Sequence, residues 1–351
     1  MMVFVGRLLD RYGARITLPV VVGLFGFALV FISNVSQPLH LYAGFASIRT
    51  LGQGSLTLIP TTLVSLWFIQ LRGRVMAINS LGTVASQAAF PPLILLLISA
   101  FGWRNAWVVL AILVWGILLI PSVLLVRRSP ESVNTLPDGK LLDIDQEALS
   151  DNYRENNFTL REALKTRSFW LLMLAGSSHS LISTALVFHH VSILDSRGLN
   201  VAVAASTLSV IAPGALIGTF LGGFLCDKFP NRYILIVGQM MLIFAMLMTL
   251  IMDQSWQSIL YGGALGLAGG ILMTSGAVIW PNYYGRQHLG SIRGVVTASM
   301  VGSAALGPLP FGFLFDILNN YTSSVLIFLA LPIASAIAAL VAKPPRMSQP
   351  D

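Results

Sequence analysis

The chain has 351 residues, 55% of them apolar and 10% charged, with a mean hydropathy of +0.78. A soluble domain carries about 25% charged residues, so there is too little polar surface here to coat a globule in water, and lipid is the expected solvent. The single cysteine, Cys226, excludes a disulfide framework and a cysteine-rich metal site. A net charge of +7 would suit a nucleic-acid partner only if the basic residues gathered on one polar domain, and their spacing argues against that.

Ten apolar runs reach or approach the roughly 20 residues that a helix needs to cross a bilayer. They cover 16–35, 40–68, 75–100, 105–126, 168–194, 201–226, 233–252, 257–281, 292–318 and 322–342. The opening MMVFVGRLLDR is too short to be a signal peptide or a span, and reads as the end of a helix. Of the 21 Lys and Arg residues, all but Arg49, Arg104 and Arg197 fall at the chain ends or in alternate connections. The positive-inside rule places those connections in the cytoplasm, with both termini. Topology thus explains the basic balance, and no nucleic-acid partner is expected.

One connection stands apart. Residues 127–167 are polar, charged and broken by Pro and Gly, which predicts a cytoplasmic linker between two membrane halves, 1–126 and 168–351. The linker's end, TLREALKTRSFW, reads as a short amphipathic helix with Thr159 as N-cap and Glu162 at the capping-box position. The halves repeat each other. Gly6, Leu8, Asp10, Arg11, Arg15 and Leu18 map onto Gly223, Leu225, Asp227, Lys228, Arg232 and Leu235 at an offset of 217, and Pro91 maps onto Pro308. Arg72-Gly73 and Arg293-Gly294, offset 221, read as a second repeated pair. Repeated halves with a substrate site at their interface are a common transporter plan.

Gly6, Leu8, Asp10, Arg11, Gly13 and Leu18 spell G-x-L-x-D-R-x-G-x-x-x-x-L. This resembles the loop motif of the major facilitator superfamily, and its recurrence from Gly223 extends the resemblance over nearly the whole chain. The resemblance implies an all-α integral membrane protein of six-plus-six plan. About ten of its transmembrane helices are present: helices three to six in 1–126 and seven to twelve in 168–351, without the first and most of the second. RGRVMAINS, FGWRNAW and FWLLMLAG are similar to the oxalate/formate and monocarboxylate-type branches. In the family the loop motif latches the cytoplasmic side in one state of an alternating cycle. That implies gating roles for Gly6, Asp10, Arg11, Gly223, Asp227, Lys228 and Arg232. Read from the residues alone, these are also ordinary positive-inside anchors around a tight turn.

Arg49 is the most informative residue. It lies about ten residues into its span, or about 15 Å deep at 1.5 Å per residue, and a charge there is costly unless it faces a polar cavity or a partner. Gln53 and Thr57 follow at i+4 and i+8 and make a polar stripe. RTLGQG resembles the family's fourth-helix R-x-x-x-G-x-G, with Gln53 in place of its first Gly. One reading makes Arg49 the counter-ion of an anionic substrate, since its fork matches a carboxylate; the other makes it a structural Arg bonding backbone carbonyls. His179, near mid-depth beside Ser177 and Ser178, is a candidate hydrogen-bond donor or proton carrier, or a packed core histidine. Asn79, Gln87, Thr274 and Trp280 complete the candidate substrate-binding set.

No Asp or Glu lies deep in any run, and no Walker loop, HExxH or nucleophile motif stands in a plausible setting, so neither enzymatic activity nor a cofactor or metal is expected. The expected function is secondary transport of a small organic anion, such as a monocarboxylate, across the plasma (inner) membrane by alternating access, with a proton or counter-anion as coupling species. Drug or metabolite efflux, and a transport-inactive sensor of the same fold, are the alternatives. The topology has a direct check. Cysteines placed in the 127–167 linker are expected to resist an impermeant thiol reagent in intact cells, and one at Ser36 to react; external labelling of the linker would overturn the assignment.

Overall fold

A computed structural model of the chain describes residues 2–139 and 157–345, apart from the side chains of Val84, Gln87 and Ala88. Among the described residues there are helices and no strands. Helix α1 (Met2–Tyr12) turns at Gly13 into α2 (Ala14–Ser33). The next run is helical from α3 (Pro38–Ile48) through a π-helical stretch, Arg49–Ser55, into α4 (Leu56–Trp67). Helix α5 (Arg72–Val114) is broken at Gly102, where φ is 74°, and a second π-helical stretch (Trp115–Leu119) leads into α6 (Ile120–Leu125). Beyond Thr159 come α7 (Leu160–Lys165), α8 (Arg167–Phe188), α9 (His190–Asp195), α10 (Val201–Lys228), α11 (Asn231–Ile251) and α12 (Ser255–Tyr284). The series ends with α13 (Leu289–Leu306), α14 (Pro308–Leu318) and α15 (Tyr321–Val341).

Eight described helical stretches are long and apolar enough to cross a membrane. The difference from ten apolar runs has local causes. Ala89–Leu125 joins parts of two runs across the Gly102 break, and Pro38–Trp67 is divided by its π segment into pieces too short to count singly. Helix α7 begins directly after Thr159, where the capping pattern places it, and Thr166 then caps α8 by accepting from the Phe169 amide at 3.3 Å.

The chain divides into two compact units whose boundaries cut across helices. The first holds Met1–Gln70, Gly82–Thr159 and Gly285–Ala298; the second holds Leu71–Leu81, Leu160–Tyr284 and Ser299–Asp351. The second unit therefore includes the first turns of α5, whose remainder lies in the first, and α13 is shared between the two. In the first unit the core is Val5, Leu9, Ala14, Val21, Ala28, Leu51 and Ile59, ringed by Phe25, Ile48 and Leu56. The Trp115 indole N–H donates to the Gly23 carbonyl at 3.2 Å.

In the second unit α10 and α12 pack most closely. Between lipid-soluble helices there is little hydrophobic gain from association, so close backbone approach at small residues supplies the attraction. Gly214, Gly218 and Gly222 on α10 recur every four residues, as do Gly262, Gly266 and Gly270 on α12. A Cβ on Gly270 would stand 2.2 Å from the Ala215 carbonyl oxygen, whereas one on Gly269 would meet nothing within 4 Å. Gly270→Val is therefore expected to cost about 1–3 kcal/mol of stability as an overpacked contact, and Gly269→Ala to be neutral. Thermal unfolding of both variants in detergent is the check; equal melting temperatures would contradict the close approach.

Candidate functional site

Two carboxylates occupy equivalent places. Asp10, at the end of α1, accepts hydrogen bonds from the Gly290 and Ser291 amides, each at 2.7 Å, and from the Ser291 hydroxyl. Asp227, near the end of α10, accepts from the Gly73 amide at 2.7 Å and the Arg74 amide at 3.2 Å, with the Arg74 Nε at 3.4 Å. In each case the donors sit at the start of a long helix, α13 or α5, where free N–H groups and the helix dipole favour negative charge. The backbones touch beside them. A Cβ on Gly6 would stand 2.2 Å from the Gly290 carbonyl oxygen, and one on Gly223 would stand 2.5 Å from that of Gly73. Asp10 lies outside the candidate spans, and burial pushes its carboxyl above the ordinary carboxylate value; the Ser291 and Gly290 donors and nearby His288 pull the other way.

This geometry corrects one expected equivalence. Asp10 and Asp227 are 217 positions apart, and so are Gly73 and Gly290. The partner of Gly73 in the repeat is thus Gly290 and not Gly294, whose Cβ position faces the Met2 carbonyl. The shared Arg-Gly dipeptide pointed to the wrong register. Of the basic residues at these helix ends, Arg74 reaches Asp227. Arg11 lies over the Tyr12 ring, Lys228 over Phe224, and Arg232 over Tyr233. The fully buried Arg72 donates to the Asn282 side-chain oxygen, and Asn282 donates to Asn231 at 2.6 Å. Nothing in the sequence marked that chain of contacts except a charge directly before the Asp227 amide partners.

Arg49, Gln53 and Thr57 are all exposed, and the Arg49 guanidinium donates to the Gln53 side-chain oxygen. Among the described residues that is its hydrogen-bonding partner, and no carboxylate pairs with it. The segment that carries Arg49 is π-helical, a conformation that recurs at functional sites. Its wider ladder leaves carbonyls for hydroxyls to satisfy: Ser55 donates to the Thr50 carbonyl at 3.0 Å, and Thr57 to that of Gln53. Beside the π segment opens an apolar cavity of about 670 Å³ lined by Phe25, Gly52, Leu56, Ser86, Phe90 and Pro91.

The remaining candidates fall elsewhere. Asn79 is exposed on α5, and the Gln87 side chain lies outside the described residues. His179 is buried on α8, and its Nδ1 and the neighbouring Ser178 hydroxyl find no hydrogen-bond partner among the described residues. Thr274 is 2% exposed and its hydroxyl faces the Thr219 carbonyl at 3.4 Å. Trp280 is 4% exposed, its ring 5.3 Å from that of Phe169 and stacked on Tyr284 at 5.9 Å. Their helix, α12, is the most enclosed of the candidate spans among the described residues.

The two capping carboxylates give a symmetric expectation. Asp227→Ala leaves two amides of α5 without acceptors, and Asp10→Ala does the same to α13. Each is expected to cost roughly 1.5–3 kcal/mol, the range for hydrogen bonds to a charged group. Thermal unfolding should register similar losses, and a large loss at one position alone would contradict the equivalence of the two sites.

The family model described as "Major Facilitator Superfamily" matches residues 1–239 and 191–351. The chain is 24% identical to a hexuronate transporter of Bacillus subtilis, covering 94% of this chain and 79% of that one. It is 23% identical to a probable sulfoacetate transporter of Cupriavidus necator, covering 98% and 82%, and 25% identical to human monocarboxylate transporter 11, covering 90% and 66%. Among solved structures, the Escherichia coli fucose:proton symporter FucP aligns with a TM-score of 0.73 at 15% identity, over 97% of this chain and 87% of that one. The proton:xylose symporter XylE gives the same TM-score at 13% identity, over 97% and 83%. With its all-helical, multi-pass architecture and a family match along its length, the chain belongs to the Major Facilitator Superfamily and is a membrane transporter rather than an enzyme.

Proposed function

We propose that the chain moves a small organic anion across the plasma membrane by alternating access, with Arg49 as the substrate's counter-ion. The observation that carries this reading is an exposed guanidinium in mid-span whose hydrogen-bonding partner is a neutral amide, with no carboxylate paired to it among the described residues. A charge so placed is costly unless something neutralises it, and a carboxylate or sulfonate does so through charge-assisted, bidentate hydrogen bonds. Gln53 and Thr57 extend the polar stripe for neighbouring substrate oxygens, and the apolar cavity beside Gly52 accommodates a short carbon skeleton. Hexuronate, sulfoacetate and a monocarboxylate, the solutes in the relatives' names, are all anions.

On this reading Asn79 acts from the first half of the sequence and His179 from the second, while Thr274 and Trp280 support the site from within the packing. Gly6, Asp10, Gly223 and Asp227 form the latch at the cytoplasmic ends of the spans, with Arg11, Lys228 and Arg232 anchoring the same ends. A proton or counter-anion is the coupling species.

The test is binding and uptake by Arg49 variants in proteoliposomes, with a hexuronate, sulfoacetate and a monocarboxylate as probes. Arg49→Ala is expected to lose about ten-fold or more in affinity per lost charge-assisted bond. Arg49→Lys keeps the charge without the planar fork and should fall between the two. An Arg49→Ala protein that folds and binds its anionic probe as the native chain does would remove the counter-ion role.

A further inference from the structure

The linker does more than join two halves. On one side of residues 140–156, the Asp138 carboxylate accepts from the Ile69 amide, at 3.2 and 3.3 Å to its two oxygens, and from the Gln70 amide at 3.1 Å. On the other side, the Asn157 side-chain oxygen accepts from the Arg286 and Gln287 amides, each at 3.0 Å. Ile69 and Arg286 are 217 positions apart, as are Gln70 and Gln287. These are the same turns of the repeat, each just before the helix whose first amides Asp227 or Asp10 holds. The repeat supplies the latch carboxylates at one offset, but the side chains that hold the preceding turns both come from the linker.

Asp138 is built for this at a local cost. Its φ is 62°, in the left-handed region that side chains other than Gly, Asn and Asp avoid. Strain of that kind persists where the surroundings require it. The Pro137-Asp138-Gly139 turn aims a carboxylate at two adjacent amides that would otherwise turn to water.

We propose, on the latch reading given above, that Asp138 is a strap: it fixes the turn leading into α5, as Asn157 fixes the turn leading into α13, and releasing Asp138 loosens the Gly73–Gly223 contact. The route is short. Ile69 and Gln70 run through Leu71 into Arg72 and Gly73; the Gly73 backbone lies on Gly223; and one turn beyond Gly223 sits Cys226, 7% exposed and the chain's only thiol. Loosening the turn therefore uncovers Cys226, whatever solute the protein carries.

Alkylation of Cys226 by N-ethylmaleimide in the detergent-solubilised full chain reads this out, with Asp227→Ala as the opened reference. Asp138→Ala is expected to react about three- to ten-fold faster than the native chain, the ratio that loss of one or two net hydrogen bonds gives. Asn157→Ala, whose turn leads to Asp10 and not to Cys226, is the control and should react at the native rate. Asp138→Asn keeps an acceptor oxygen and should keep native protection, and it guards against an alanine variant that fails to fold. A native alkylation rate in Asp138→Ala, with Asp227→Ala accelerated, would overturn the strap. So would an Asp138→Asn protein that reacts as fast as Asp138→Ala.

Discussion

Backbone amides at helix starts are the constraint on which the rest of this structure depends. A helix leaves its first N–H groups without internal acceptors, and in or near lipid no water relieves them cheaply. Here α5 and α13 begin where the chain returns to the membrane, and each receives a carboxylate from a helix that ended there: Asp227 for α5, Asp10 for α13. Two needs are met by one contact. The carboxylate gains N–H donors and a favourable dipole end, and the helix start gains an acceptor.

That contact dictates the glycines around it. A carboxylate reaches an amide at 2.7 Å only if the two backbones nearly touch, and any side chain on the facing positions would hold them apart. Gly6 against Gly290 and Gly223 against Gly73 meet that need on both sides. The loop motif therefore reads as two halves of one device: an acid to cap a helix, and a glycine four residues earlier to admit it. The same close-approach logic, with no charge involved, governs α10 against α12, where glycines at four-residue intervals bring backbones together.

Much of this was legible in the sequence because it was written in periodicity and repetition. The apolar runs, the repeat at offset 217 and the stripe Arg49–Gln53–Thr57 all recur at fixed spacing, and fixed spacing is what a helix converts into a face. What depended on register or on backbone form was not legible. Gly294 shares its Arg-Gly dipeptide with Gly73, yet Gly290 lies at the equivalent place, because geometry follows the offset and not the letters. The π segment at Arg49–Ser55 has ordinary helix-compatible residues, so nothing forecast its wider ladder. The burial of Thr274 and Trp280 was not legible either, because it is a property of how α12 is surrounded. Asp138 and Asn157 sit in a polar linker where any acid or amide has equal sequence weight; only the distances to Ile69, Gln70, Arg286 and Gln287 single them out.

The two kinds of charge in the chain differ in a way that bears on the transport cycle. Asp10 and Asp227 are held by donors of the protein itself, so their contribution does not depend on what is bound. Arg49 is held by a neutral amide, and on the proposed reading its neutralisation arrives with the substrate. An uncompensated cation at mid-span is costly to carry through any state that excludes water, while a cation paired with a bound anion is less so. Occupancy then lowers the free energy of the closed intermediate relative to the open ones, since only differential stabilisation of one state moves an equilibrium. On the proposed reading the latch sets how long one side stays shut, and the charge balance at Arg49 sets whether the closed state is reached loaded or empty. Those are separable quantities, carried by residues in different places on the chain, and that separation is what lets a carrier be selective and still turn over.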